Sequence, residues 1–192
     1  MNHHEKLKQQ IVNESWKIID QEGWQSLSIR KIAHAIGYSI PVVYKYFKDK
    51  DELVLYFSQK GFEKLASQLQ KAIADTDDES QWIGVLADTY WNFAFSNRKY
   101  YEIMFGLGIP TCERINSMSE MRNTSLIFEK TIKTILTKHK NEHIDVHLKL
   151  KTFWSILHGL VAIELLTNTA ENVNPSAVLV DAINGFTLSL TT

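Results

Sequence analysis

Five cations, Arg30, Lys31, Lys45, Lys48 and Lys50, gather in the segment Ser28 to Leu53, SIRKIAHAIGYSIPVVYKYFKDKDEL, where they outnumber the acidic side chains. Tyr44 and Tyr46 alternate with them, and a phenol hydroxyl can donate to a phosphate oxygen as a lysine can. A local basic face of this kind is the electrostatic footprint of a phosphate-binding surface. It stands out because the whole chain has a net charge of −1 and a pI near 6.7. Residues 1–60 hold 9 Lys+Arg against 7 Asp+Glu, and the remainder 12 against 15, so a slightly positive N-terminal part precedes a negative one.

A second set of chemistry-bearing residues is His139, His143 and His147, which recur every fourth position beside Glu142 and Asp145. On one continuous helix their rings would line a face able to hold Zn²⁺ or Ni²⁺, as a helical-bundle metal protein or enzyme would require. The polar run Lys138–Glu142 reads instead as an interhelical loop, which would break that alignment. Elsewhere the sequence offers no nucleophile–base pair, no glycine-rich phosphate loop and no paired inward carboxylates. The expectation is therefore a non-enzyme with no catalytic residues, no metal and no cofactor.

Helices must position these groups. Three prolines and eight glycines in 192 residues leave few places to stop a helix, and no stretch alternates as a strand does, so the chain reads as all-α with about nine helices. Leu7, Ile11, Val12, Trp16 and Ile19 recur at helical spacing before a stop at Gly23. Ser28 is placed to cap a short second helix that buries Ile32, Ala33 and Ile36 and ends at Gly37. Ser39 is placed to cap a third, with Pro41 in its first turn, where a missing N–H costs nothing. Asp49 and Glu52 have the spacing of a capping box opening a fourth helix, Lys50 to about Gln70. Five more follow, at about 79–96, 98–105, 114–138, 143–167 and 175–190. Two short helices around a tight glycine turn, the second capped and brief, are the ingredients of a helix-turn-helix, here about 28–48.

At this point the chain resembles the TetR (tetracycline-repressor-like) family of bacterial regulators. The likeness rests on I-x-x-I-A-x-x-x-G-x-S-x-x-x-V-Y-x-Y-F-x-x-K-x-x-L, from Ile29 to Leu53. It implies a DNA-binding domain at 4–64 and an effector-binding and dimerisation domain at 65–192. The expected DNA-binding set is Ser28, Arg30, Ser39, Ile40, Pro41, Val42, Tyr44, Lys45, Tyr46 and Lys50. Of these, Ile40, Pro41, Val42 and Lys45 would face base edges, with apolar contacts suiting thymine methyls and Lys45 suiting guanine. Ser28, Tyr44, Tyr46 and Lys50 would meet phosphates, and Arg30 suits either target.

The C-terminal part carries a heavy load of large rings and methionine. Most of it is ordinary core, but the resemblance implies that regulators of this type bind an inducer in the bundle. The expected effector pocket comprises Trp82, Tyr90, Phe93, Tyr101, Met104, Phe105, Met121, Phe128, Trp154 and His158. Within Phe153–Glu164, Trp154, His158 and Gly159 form W-x-x-x-H-G, which is similar to the tryptophan-histidine-glycine motif of one C-terminal subclass. His158 is either a polar contact to the ligand or a buried imidazole satisfied by a carbonyl. Ile156, Leu157, Leu160, Ile163 and Leu166, with Val178, Ile183, Phe186 and Leu190, give the last two helices apolar faces for the family's four-helix homodimer interface.

These readings combine into a homodimeric repressor that binds a palindromic double-stranded DNA operator and is released by a small, largely apolar effector. The lone Cys112, the polar residues 1–15 and the absence of an apolar run of about 20 residues suit a cytoplasmic protein with no membrane association.

Overall fold

The computed structural model describes residues 2–106, 118–167 and 177–192. Among them lie nine α-helices: α1 (His3–Glu22), α2 (Ile29–Ile36), α3 (Ile40–Tyr44), α4 (Lys50–Ala74), α5 (Trp82–Ser96), α6 (Arg98–Phe105), α7 (Ser119–Lys138), α8 (Val146–Thr167) and α9 (Ala177–Thr191). No strand occurs among the described residues. Cys112, the glycine and proline breaks at 106–110 and 168–175, and the expected starts of the helices at 114 and 175 fall wholly or partly outside them.

The helices form two compact units. One runs to Gly61 and takes in Lys99 to Gly106; the other runs from Phe62 to Arg98 and takes in the described residues from Met118 onward. α6 thus belongs almost entirely to the first unit. The cause is a pair of contacts far apart in sequence. The Ser58 hydroxyl donates to the Ile103 carbonyl at 3.3 Å, and the Cα of Gly61 lies against the Met104 side chain.

In the first unit α1 opens with a capping box that the sequence reading had not singled out: Asn2 accepts from the Glu5 N–H at 2.8 Å and donates its own N–H to the Glu5 carboxylate at 2.9 Å. Its inner face, Leu7, Ile11, Val12, Ser15 and Ile19, is buried, each large apolar side chain contributing about 1.5–3 kcal/mol by leaving water. Ser28 caps α2 by accepting from the Lys31 N–H at 3.2 Å. Gly37 then takes φ 72°, ψ 27°, a left-handed conformation that only glycine adopts cheaply, and this reverses the chain toward α3.

α3 differs in detail from expectation. Ser39 occupies the N-cap position in extended conformation, yet its side chain makes no cap hydrogen bond. Pro41 in the first turn removes an N–H that would otherwise need a partner. The helix has five residues, after which Lys45, Tyr46 and Phe47 donate their N–H groups to Val42 and Val43 and carry the turn onward. Asp49 caps α4 by accepting from the Glu52 N–H at 2.8 Å, but the Glu52 carboxylate reaches one residue beyond the box, to the Lys48 N–H.

In the second unit every pair among α5, α7, α8 and α9 is in contact, which makes a four-helix bundle. Its core centres on Phe128, whose ring meets Phe153 and Trp154 edge-on at 5.2 and 5.5 Å; Phe153 in turn stacks on Phe186 at 5.1 Å. Such pairs contribute about 0.5–1.5 kcal/mol beyond the area they bury. The buried Asn141 in the turn after α7 donates to the Leu190 carbonyl at 3.0 Å and so ties that turn to α9. α9 is apolar on more than one side. Ile183, Phe186 and Leu190 point into the protomer core, so its exposed apolar residues are Val178, Val180 and Leu188.

Candidate nucleic-acid interface

Val43 and Phe47, four residues apart, are fully buried together with Ile32 and Ile36 of α2. That packing fixes the angle of α3 and turns its opposite face outward. Ile40 is 36% exposed and Tyr44 52%, against 0% for Val43 on the same short helix. Pro41 and Lys45 are also exposed and Val42 half-buried, so the four residues expected to meet base edges lie on the outer side of α3 or at its rim. Large exposed apolar side chains on a five-residue helix fit a surface made to be covered.

The cations divide into two kinds. Arg30, Lys45 and Lys48 extend into solvent. Lys31, part of the basic set in the sequence, pairs with Glu22 at 2.6 Å, which offsets its charge. Lys50 is half-buried: its ammonium donates to the Gln25 carbonyl at 2.7 Å and lies 5.3 Å from the centre of the Trp24 ring. Burial lowers its pKa, with Asp51 pulling weakly the other way. Lys50 is therefore a tether between the start of α4 and the 3₁₀ turn Trp24–Ser26. Tyr46 is likewise engaged, its ring 4.5 Å from that of His4, while the Ser28 hydroxyl serves the α2 cap.

Two residues outside the expected set belong to this surface. Tyr38, in the turn after Gly37, is 41% exposed beside α3. Its signal in the sequence was an aromatic side chain inside a turn that must face out. Trp24 is the platform under Lys50, and its only sequence signal was a large ring directly after the glycine stop of α1.

The other expected sites are distributed as follows. Tyr101, Met104 and Phe105 belong to the first unit; Trp82, Tyr90, Phe93, Met121, Phe128, Trp154 and His158 belong to the second. Tyr90, Phe93 and Phe128 are fully buried, and the Trp82 indole N–H donates to the Thr76 carbonyl at 3.0 Å. His158 is half-buried, and loss of hydration holds its imidazole below the ordinary value of 6.5. Trp91, outside the expected set, is buried, and its indole N–H has no acceptor among the described residues. The three histidines fall on separate elements: His139 caps the C-terminus of α7, His143 lies in the turn, and His147 is in the first turn of α8. Asp145 spends its carboxylate on the His147 and Leu148 N–H groups. Among the described residues no three His, Cys, Asp or Glu side chains converge as metal ligands, and no helix is long and apolar enough to cross a membrane.

Residues 11–57, spanning this surface, match the family described as bacterial regulatory proteins, tetR family. An HTH-type transcriptional regulator of Staphylococcus aureus is 26% identical over 168 residues, which is 86% of this chain and 91% of its own. The fold of a TetR family transcriptional regulator, PfmR from Thermus thermophilus, superposes with a TM-score of 0.64 at 16% identity, covering 94% of this chain and 96% of that one. FadR from Bacillus subtilis, solved in complex with stearoyl-CoA, superposes with a TM-score of 0.71 at 14% identity, covering 96% and 97%. The chain thus carries a tetR-family helix-turn-helix domain at residues 11–57, followed by an all-helical C-terminal part, and over most of its length it is similar to an HTH-type transcriptional regulator.

Proposed function

We propose that the protein is a homodimeric repressor that binds a palindromic operator in the cytoplasm and is released by a small, largely apolar effector. The observation that carries the DNA reading is the outward face of α3, with Ile40 and Tyr44 exposed opposite the buried Val43. In this reading Ile40, Pro41, Val42 and Lys45 read base edges. Ser28, Ser39, Tyr44, Tyr46 and Lys50 position the backbone, and Arg30 serves either role. A five-residue reading helix gives little specificity alone; two, about 34 Å apart, read a palindrome.

Dimerisation through the last two helices is supported by Ile163 and Leu166 on α8 and by Val178 and Leu188 on α9, all exposed and apolar. An effector site in the bundle is supported by the aromatic cluster around Phe128, by the half-buried His158 in its W-x-x-x-H-G sequence, and by the acyl thioester held by FadR. The effector would act through α4, a single helix from Lys50 to Ala74. It lowers DNA affinity only to the extent that it binds the DNA-incompetent state more tightly.

The test is selection from random duplex DNA by purified, effector-free dimer, with sequencing of the bound pool. An enriched palindrome with half-sites about one helical turn apart is expected. No enrichment at low salt would overturn the operator reading.

A further inference from the structure

A groove of about 690 Å³ lies between α1, α4 and α6, wholly within the first unit. Small-molecule sites typically enclose about 300–1,000 Å³. Its floor is aromatic: the Trp16 ring stacks on Tyr100 at 4.1 Å with 24° between planes and meets Phe57 at 5.3 Å, while Tyr56 abuts Phe57 edge-on at 5.4 Å. Trp16, Tyr56 and Tyr100 are each half-buried, so part of each ring still faces water.

Its rim is cationic. Lys6 and Lys17 come from α1 and Lys60 from α4, and the Lys60 ammonium lies 5.9 Å from the centre of the Tyr56 ring. The single carboxylate of the lining, Glu14, is paired with Lys17 at 2.6 Å. Amides of Gln10 and Asn13 complete the α1 side.

We propose that this groove is a small-molecule site, separate from the bundle, that takes a planar aromatic ring bearing an anionic group. The floor offers ring faces on which a flat ligand stacks, displacing water from apolar surface. The charge balance selects the ligand's sign. Aromatic faces alone also suit cations, but three ammoniums against one carboxylate disfavour a cation. A neutral apolar ligand gains nothing from this excess of positive charge, whereas a carboxylate or phosphate is attracted to it. Because the lining comes from α1, α4 and α6, an occupant fastens together the helices that carry the DNA-binding unit, and its binding adds to the stability of that unit.

The experiment uses the full chain and three probes, 2-naphthyl phosphate, 2-naphthol and inorganic phosphate, with binding read by equilibrium dialysis and by shift in thermal midpoint. 2-Naphthyl phosphate is expected to bind and to raise the midpoint, with 2-naphthol about tenfold weaker and phosphate alone without effect. Trp16→Ala should weaken the naphthyl phosphate about tenfold or more. That variant removes a stacked ring and can disturb folding, so Lys60→Gln, at the half-buried α4 edge of the groove, is the second test: it should weaken binding about fivefold and flatten its dependence on salt. Equal affinity for 2-naphthol, or binding that is unchanged in both variants and so lies elsewhere, would overturn the proposal. So would no binding by a chain that still selects its DNA site, a result that leaves the operator reading intact.

Discussion

Lys50 and Gln25, twenty-five positions apart, are joined by a 2.7 Å hydrogen bond from ammonium to carbonyl, with the Trp24 ring beneath. The bond anchors the first turn of α4 to the 3₁₀ turn that follows α1, on the side of the domain expected to meet phosphate. Lys50→Ala should therefore have two effects. Losing the charged hydrogen bond should cost about 1 kcal/mol in denaturant titration. Losing a phosphate contact should reduce the slope of log affinity against log salt by about 1 per protomer. A lower stability with an unchanged slope would assign Lys50 a structural role alone.

Neighbouring side chains at the end of α3 should behave differently from one another. Tyr44→Phe removes the exposed hydroxyl proposed to meet backbone phosphate and should weaken all duplexes alike. Lys45→Ala should instead cost about 1–3 kcal/mol on the preferred operator and relax choice at one base position of each half-site. Competition binding against single-base operator variants separates the two. Parallel losses from both substitutions would refute the division of labour.

His158 gives a pH dependence whose sign follows from its burial. The folded state holds the imidazole below 6.5 because charging it there forfeits hydration. The unfolded chain then binds the proton more readily, so stability is full above about pH 6.5 and is lost as pH falls below it, until the folded-state value is passed. His158→Gln should lose less stability than the wild type between about pH 7.5 and 5.5. Identical losses would show that this side chain does not contribute to the acid limb.

What the sequence made legible was mostly local. Ser28 capping α2, Gly37 in left-handed conformation, Pro41 in a first turn and Val43 with Phe47 facing inward each depend on neighbours within a few positions. Propensity and periodicity report on that range. The free Ser39 hydroxyl and the one-residue displacement of the Glu52 box depend on side-chain direction, which spacing does not encode. The Lys50 tether, the pairing of Lys31 with Glu22 and the membership of α6 in the first unit all join residues distant in sequence. The inward face of α9 was visible as apolar periodicity, but Ile183, Phe186 and Leu190 could have faced a partner copy as readily as their own core. Only packing assigns them to the protomer.

The contact that holds α6 in the first unit also yields a prediction in which two effects oppose each other. Gly61 lies in the interior of α4, where alanine is ordinarily better by about 1 kcal/mol. Here a Cβ would overlap the Met104 Sδ, sit 2.8 Å from its Cγ and crowd the Tyr100 ring at 3.4 Å. Met104 is flexible, but it is only 3% exposed and must shift against packed neighbours. Overpacking of this kind costs about 1–3 kcal/mol and should outweigh the helical gain. Gly61→Ala is expected to destabilise the protein by about 1 kcal/mol. In a Met104→Ala background, where the space is vacated, the same substitution should be neutral or stabilising, a coupling of about 1–2 kcal/mol between the two positions. Denaturant titration of the four proteins of this cycle decides the matter. If Gly61→Ala alone raised stability, the thioether would have yielded, and close approach at Gly61 would not be what fixes α6 against α4.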